Sequence, residues 1–229
     1  DETMEKREFE IYFQPKISLH NYKIAGAEAL VRWQKPDGEI ISPGEVIPVY
    51  ERNGQIVKLD EYVFRRVCCY QRRQMLQGKE LIPISVNLSR ASLHRSGTVM
   101  RYVEIVKDAE IPFSCVPIEL TETAALYSDR IRRITEALVR TGFLLHMDDF
   151  GSGYSSLTSL NELPFSTLKI DKKLIDYVEQ QKGKKVVQQV ISLAHGLDMK
   201  VVAEGVENAV QVQLLKEMKC DVIQGFYYS

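Results

Sequence analysis

The sequence predicts an α/β fold in which a mainly parallel sheet closes into a barrel whose first strand is antiparallel. Three observations predict it. About eight short apolar runs of strand length recur along the 229 residues. Amphipathic stretches with helical spacing lie between most of them, and alternating strand and helix favours βαβ units. The first connection breaks the rule, because it is too short for a crossover helix.

The strand-like runs are Ile11 to Phe13, Ile24 to Trp33, Ile84 to Leu88, Val116 to Leu120, Phe143 to Met147, Thr167 to Ile170, Lys200 to Ala203 and Cys220 to Ile223, each rich in Val, Ile or Leu. Only Leu19 to Lys23 separates the first two, so these should pair antiparallel. Helical spacing marks Leu59 to Gln77, Thr98 to Ala109, Arg130 to Thr141, Lys184 to Gly196 and Glu207 to Met218. Eight strands in one unit of this length imply a TIM-like (β/α)8 barrel rather than an open sheet. No repeat, linker or low-complexity segment interrupts the chain, so residues 1–229 are expected to form one domain, cut from a longer multidomain protein.

Composition narrows the function classes. With 45% hydrophobic and 27% charged residues the chain can build a core and a charged surface. Thirty basic residues against 31 acidic give a net charge of -1, so no global field recruits polymeric nucleic acid or an anionic membrane. Any anionic ligand must be held locally. Cys68, Cys69, Cys115 and Cys220 have neither metal-type nor disulfide-framework spacing and are expected to be reduced thiols in a cytoplasmic protein. No apolar run reaches membrane-span length.

Polar and acidic residues gather where the strand-like runs end: Asn87, Glu119, Glu122, Asp148, Asp149, Lys169, Glu204 and Gln224. In an α/β barrel those ends meet on the face where active sites are built. So many carboxylates in one mouth repel one another unless cations neutralise them, and hard divalent ions with oxygen ligands are the natural answer. Asp148 and Asp149 could serve two ions with Asp148 bridging, and Asn87 adds a neutral oxygen. With no His or Cys in the set, magnesium or manganese is favoured over tetrahedral zinc. Two such ions and a lysine suit attack of water on a phosphodiester, with Lys169 balancing developing negative charge. Two-residue periodicity puts Glu28 and Arg32 on one strand face, about 13 Å apart at 3.3 Å per residue, so one could meet a metal and the other a phosphate. The stretch Asp149 to Leu157, with Gly151 and Gly153, should be a shaped loop over the site.

Blander readings stand beside these. Asp148 and Asp149 alone could cap a helix or turn, Lys169 could be a solvated strand-end charge, and Glu204 and Glu207 could favour a helix N-terminus. His20, His94, His146 and His195 are assigned to surface or packing roles. Trp33 is expected to be buried rather than stacked on a base, and Arg72, Arg73, Arg132 and Arg133 to line solvated helix faces.

The motifs together resemble the EAL domain family. Glu28, Ala29 and Leu30 spell its tripeptide within Glu-Ala-Leu-Val-Arg-Trp. In order along the chain follow Phe-Gln-Pro at 13–15, Val-Asn-Leu-Ser at 86–89, Glu-Leu-Thr-Glu at 119–122, Asp-Asp-Phe-Gly-Ser-Gly-Tyr-Ser-Ser-Leu at 148–157, Leu-Lys-Ile-Asp at 168–171, Ala-Glu-Gly-Val-Glu at 203–207 and Gln-Gly-Phe at 224–226. The resemblance implies a barrel with an antiparallel first strand and hydrolysis of cyclic di-GMP to linear 5'-pGpG using two Mg2+ or Mn2+ ions, with Ca2+ inhibitory. It implies that Glu28, Asn87, Glu119 and Asp148 ligate one ion and Asp148 and Asp149 the other. Glu204 would hold the second ion's water or act as base, and Lys169 would touch the water or phosphate. Gln224 would position water, Gln14, Leu30, Arg32 and Asp171 would bind ligand, and Glu122 would anchor the 149–157 loop, where Ser152 replaces the family's usual Thr. A homodimer fused to sensor or cyclase-type domains is implied, with membrane tethering of the full-length protein left open. A catalytically silent cyclic di-GMP receptor is the competing expectation, disfavoured because every matched metal position is filled. A sugar hydrolase with paired carboxylates would need neither Lys169 nor divalent ions.

Overall fold

The computed structural model describes residues 9–35, 37–126, 128–153 and 157–228. Its strands are β1 (Phe9–Ser18), β2 (Ile24–Gln34), β3 (Ile40–Ile41), β4 (Ile84–Asn87), β5 (Ile118–Thr121), β6 (Leu145–Phe150), β7 (Thr167–Ile170), β8 (Lys200–Ala203) and β9 (Val222–Ile223). They form one sheet ordered β1-β9-β8-β7-β6-β5-β4-β2-β3, and a further pairing of β1 with β2 closes the barrel. β3 hangs outside the ring as a hairpin on β2. β1 runs antiparallel to both β2 and β9, while the other neighbours in the ring are parallel. The short first connection explains this: Ser18 N–H donates to the Lys23 carbonyl at 2.9 Å, closing a tight turn that leaves no room for a helix.

The remaining connections carry helices whose apolar stripes cover the barrel. Ile56–Leu76 buries Ile56, Leu59, Val63, Phe64 and Val67, the three- and four-residue spacing of one helix face. Phe64 meets Tyr102 edge-on at 4.6 Å and Phe143 at 6.1 Å, tying this helix to Thr98–Ala109 and to the start of the β6 segment. Several expected boundaries moved, three of them for a clear local reason. β5 begins after Pro117, which lacks an N–H for the ladder. β6 begins two residues late because Gly142, at φ +106°, turns Phe143 back onto Phe113. The C-terminal helix spans Ala209–Glu217 and is capped by Asn208, so Glu207 lies before the cap. A helix at Pro43–Arg52 was not expected; its Gly44 and Pro48 read as turn residues, yet Pro43 occupies its first turn, where a missing N–H costs nothing. Among the described residues no helix is long and apolar enough to cross a membrane.

Strand alternation sets what faces the lumen. β1 turns Gln14 and Lys16 inward beside Glu28 and Gly26 of β2, its register partners. Asn87, Glu119 and His146 share a face across β4, β5 and β6, being directly opposite in two parallel ladders. The strand ends therefore raise a ring of polar groups in the upper half of the barrel, above a lower layer that includes Lys16, Ser85, His146 and Thr167.

Candidate active site

Four carboxylates converge on one ammonium. Lys169 Nζ lies 2.7 Å from Glu119 Oε2, 2.9 Å from Asp148 Oδ1, 2.9 Å from Glu204 Oε1 and 3.2 Å from Glu28 Oε2. Lys169 and Glu119 are 1% and 0% exposed, so water does not screen them. Burial alone would discharge the lysine, but Glu119, Glu28, Asp148 and Glu204 outweigh it and raise its pKa well above the usual range. One ammonium cannot balance four carboxylates. Burial, opposed by Lys169 and reinforced by neighbouring carboxylates, pushes Asp148 up to about 7 and Glu204 up to about 8. Glu119 goes the other way: its burial penalty is outweighed by Lys16 and Lys169, which hold it well below the usual carboxylate range.

Asp148 and Asp149 are adjacent, and in a regular strand they would face opposite sides. The β6–β7 register shifts between Met147 and Phe150, and Asp149 adopts φ +58°. This bulge brings both carboxylates to the same mouth. Two groups could hold a metal ion: Glu28 with Glu119 and Asp148, and Asp148 with Asp149 and Glu204, each set offering oxygens within 4.8 Å of one another. Asp148 belongs to both. All-oxygen donors suit a hard divalent cation, and Lys169 Nζ already marks where positive charge is held. Asn87 Nδ2 donates to Glu28 Oε1 at 2.8 Å and leaves its amide oxygen uncommitted to that bond. Gln224 Nε2 bridges Gln14 Oε1 and Glu28 Oε2 at 2.8 and 2.7 Å. Its Oε1 is buried without a donor among the described residues, an acceptor suited to a water at the centre.

The outer residues are less concentrated. Arg32 lies farther up β2, with Nη1 donating to the Val31 carbonyl at 3.0 Å and its guanidinium 5.9 Å from the Tyr12 ring centre. Leu30 is half-buried between Arg32 and Glu28. Asp171 caps the short helix Lys172–Ile175 by accepting from Lys173 N–H, yet remains near enough to Asp149 to raise its pKa after burial has done so. Glu122 is buried past the end of β5, and its N–H donates to the Asp148 carbonyl at 3.1 Å. The loop after β6 begins with Gly151 at φ +92°, where a Cβ would fall 2.2 Å from Leu174 Cδ1, so glycine is required there. Residues 154–156 of the expected 149–157 loop lie outside the described residues.

Sequence reasoning missed two residues of this centre. Lys16 is buried and donates to Glu119 Oε1 at 2.6 Å and to Ser85 Oγ at 2.7 Å. The signal was its two-residue offset from Gln14. His146, assigned to the surface or to packing, instead sets Nδ1 3.3 Å from Glu119 Oε1; burial lowers its pKa, which favours the neutral ring. It is two residues before Asp148 and so shares that residue's face. Its offset, not ligand spacing, was the cue. His20 and His195 both meet Asp221 at the surface.

Comparison with known proteins places this geometry. The chain belongs to the EAL domain family, whose model matches residues 1–229. It is 33% identical over its whole length to signaling protein YkoW of Bacillus subtilis and 36% identical over 97% of its length to cyclic di-GMP phosphodiesterase NbdA of Pseudomonas aeruginosa. It spans 29% of each of those relatives. Among solved structures, the PaMucR phosphodiesterase in complex with c-di-GMP superposes with a TM-score of 0.93 at 34% identity, covering 99% of this chain and 92% of that one.

Proposed function

We propose that this domain hydrolyses cyclic di-GMP to linear 5'-pGpG, and that it does so with two Mg2+ or Mn2+ ions. The observation that carries the reading is the convergence of Glu28, Glu119, Asp148 and Glu204 on one buried cation position, with Asp149 and Asn87 beside it. The relatives' names and the c-di-GMP complex of PaMucR support the choice of substrate.

Glu28, Asn87, Glu119 and Asp148 would hold one ion, and Asp148 with Asp149 the other. When bound, such ions make water more acidic and neutralise charge on a phosphodiester. The chain's own groups do the rest. Glu204, 2.9 Å from Lys169 Nζ, would in its ionised form take the proton of the attacking water as the new P–O bond forms and the P–O3' bond breaks, the departing 3'-oxygen taking up a proton from water. Lys169, held among the four carboxylates, would face the charge growing on the phosphoryl oxygens. The buried Gln224 Oε1 accepts from the water and orients it. Gln14, Leu30, Arg32 and Asp171 hold the dinucleotide, the arginine on the second phosphate. Glu122 would anchor the loop after β6, and its N–H bonds the Asp148 carbonyl of β6, two residues before the strand's end.

The same reading takes the domain as a cytoplasmic homodimer carried in a longer protein with sensor or cyclase-type partners, and its limited span of the relatives supports the last point. Ca2+ should inhibit, since its longer and looser coordination misplaces the water. The test is incubation of the purified domain with cyclic di-GMP and Mg2+ or Mn2+, following 5'-pGpG by chromatography beside Glu28→Ala. Metal-dependent product that vanishes in the variant is expected. Tight binding without product under either metal would leave a receptor instead.

A further inference from the structure

We infer that Lys16 is a positioning residue of the metal centre, acting on Glu119 from the layer beneath the carboxylates; the inference rests on the metal-dependent reading above. Lys16 is 5% exposed and Glu119 is fully buried, and their 2.6 Å contact joins residues 103 apart in sequence. The interior of an α/β barrel is ordinarily filled by branched aliphatic side chains, and a lysine there is costly unless paired. Here the pairing is divided between the two oxygens of one carboxylate. Oε1 takes Lys16 and His146, whereas Oε2 takes Lys169, the same ammonium that Glu28 Oε2 and Asp148 Oδ1 meet.

The ammonium is itself held. Ser85 Oγ accepts from it at 2.7 Å and donates onward to the Ala27 carbonyl at 3.2 Å. Below it opens a cavity of about 250 Å³ whose wall includes Ser85, His146, Thr167 and Lys200 and has no carboxylate. Glu119 is therefore the acidic partner of Lys16, and nothing on that wall competes for it. Pinning Oε1 from below fixes the carboxylate plane, so that Oε2 is presented upward without a rotational search. Ligands oriented by outer partners commonly lose tenfold to a hundredfold in metal affinity or activity when the partner is removed.

The experiment compares Lys16→Met and Lys16→Arg with the wild type. Mn2+ binding to metal-free protein is followed by electron paramagnetic resonance, and kcat and KM with cyclic di-GMP by product chromatography. Lys16→Met should weaken Mn2+ binding and lower kcat by about tenfold while KM holds, and Lys16→Arg should recover most of both losses. A Lys16→Met protein that melts as the wild type does, and binds Mn2+ and turns over equally well, would overturn the inference and leave Lys16 a space-filling cation. Should Lys16→Met fail to fold, Ser85→Ala decides: it keeps the lysine but removes its anchor, and unchanged Mn2+ affinity and kcat would overturn the proposal. A wild type that binds Mn2+ but releases no product would refute the hydrolase reading alone, because the Mn2+ comparison still judges Lys16.

Discussion

The upper and lower halves of the barrel lumen are built from the same strands, two residues apart, yet they differ in kind. Above, Glu28, Glu119, Asp148 and Glu204 crowd one ammonium. Below, Lys16 and Lys200, hydroxyls, an imidazole whose pKa burial lowers, and apolar side chains line a cavity that has no carboxylate. The upper layer is short of positive charge and strained by its own repulsion, so it has a use for cations; the lower layer has none. A single two-residue step along each strand separates a centre that calls for ligands from a support that holds one of its members still.

The largest effect should come from removing the carboxylate common to both metal groups. Asp148→Asn is expected to cost several kcal/mol of charge stabilisation, on the order of a thousandfold in kcat/KM, read by 5'-pGpG release. A loss of only a few-fold would break the contrast, since the upper layer would then tolerate damage as a support does.

Next comes Lys169→Met, which leaves the buried carboxylates without their cation. The metal-free protein should lose about 3 to 5 kcal/mol of stability in urea unfolding, and saturating Mn2+ should restore much of it by binding only the folded state. Absence of metal rescue would mean that the upper layer does not hold cations.

The pH dependence is smaller and has a defined sign. Asp148 and Glu204 sit at about 7 and about 8 when folded, above the ordinary 3.8 and 4.5. The folded state thus binds more protons across that window, and these two groups make the metal-free protein less stable as pH rises from about 4 to about 8. Glu119, held low, opposes them only in acid, where its contribution is lost as pH falls below its ordinary range. Mn2+ competes with the same protons, so its affinity should climb between about pH 6 and about pH 8, measurable by calorimetry at fixed ionic strength. The smallest effect belongs to the lower rim. Lys200→Ala, exposed at the start of β8, should change stability by no more than about 0.5 kcal/mol and leave turnover unaltered.

The difference between the halves also explains what could be read from sequence. The barrel was legible because its apolar runs recur with helices between them, and the antiparallel β1 because five residues, Leu19 to Lys23, cannot hold a crossover. The upper carboxylates were legible because acidic residues at strand ends are unusual and meet on one face. Lys16 and His146 were not. A lysine or histidine in a strand is ordinarily a surface residue, and only the closed ring, with its stagger between strands, brings them under Glu119. Asp171 illustrates the opposite ambiguity: the family resemblance implied ligand binding, whereas its carboxylate caps a four-residue helix that is too short to announce itself.

The bulge at Asp149 has a consequence for descent. Among residues with a Cβ, aspartate and asparagine are the ones that most readily occupy the left-handed region that Asp149 adopts at φ +58°. A one-atom exchange to asparagine would keep the backbone and the neighbouring Asp148 in place while deleting a charge from the mouth. The scaffold imposes no toll on that step, so selection for folding does not guard the chemistry. A carboxylate lost at position 149 would therefore go unnoticed in folding and be felt only in what the mouth can bind.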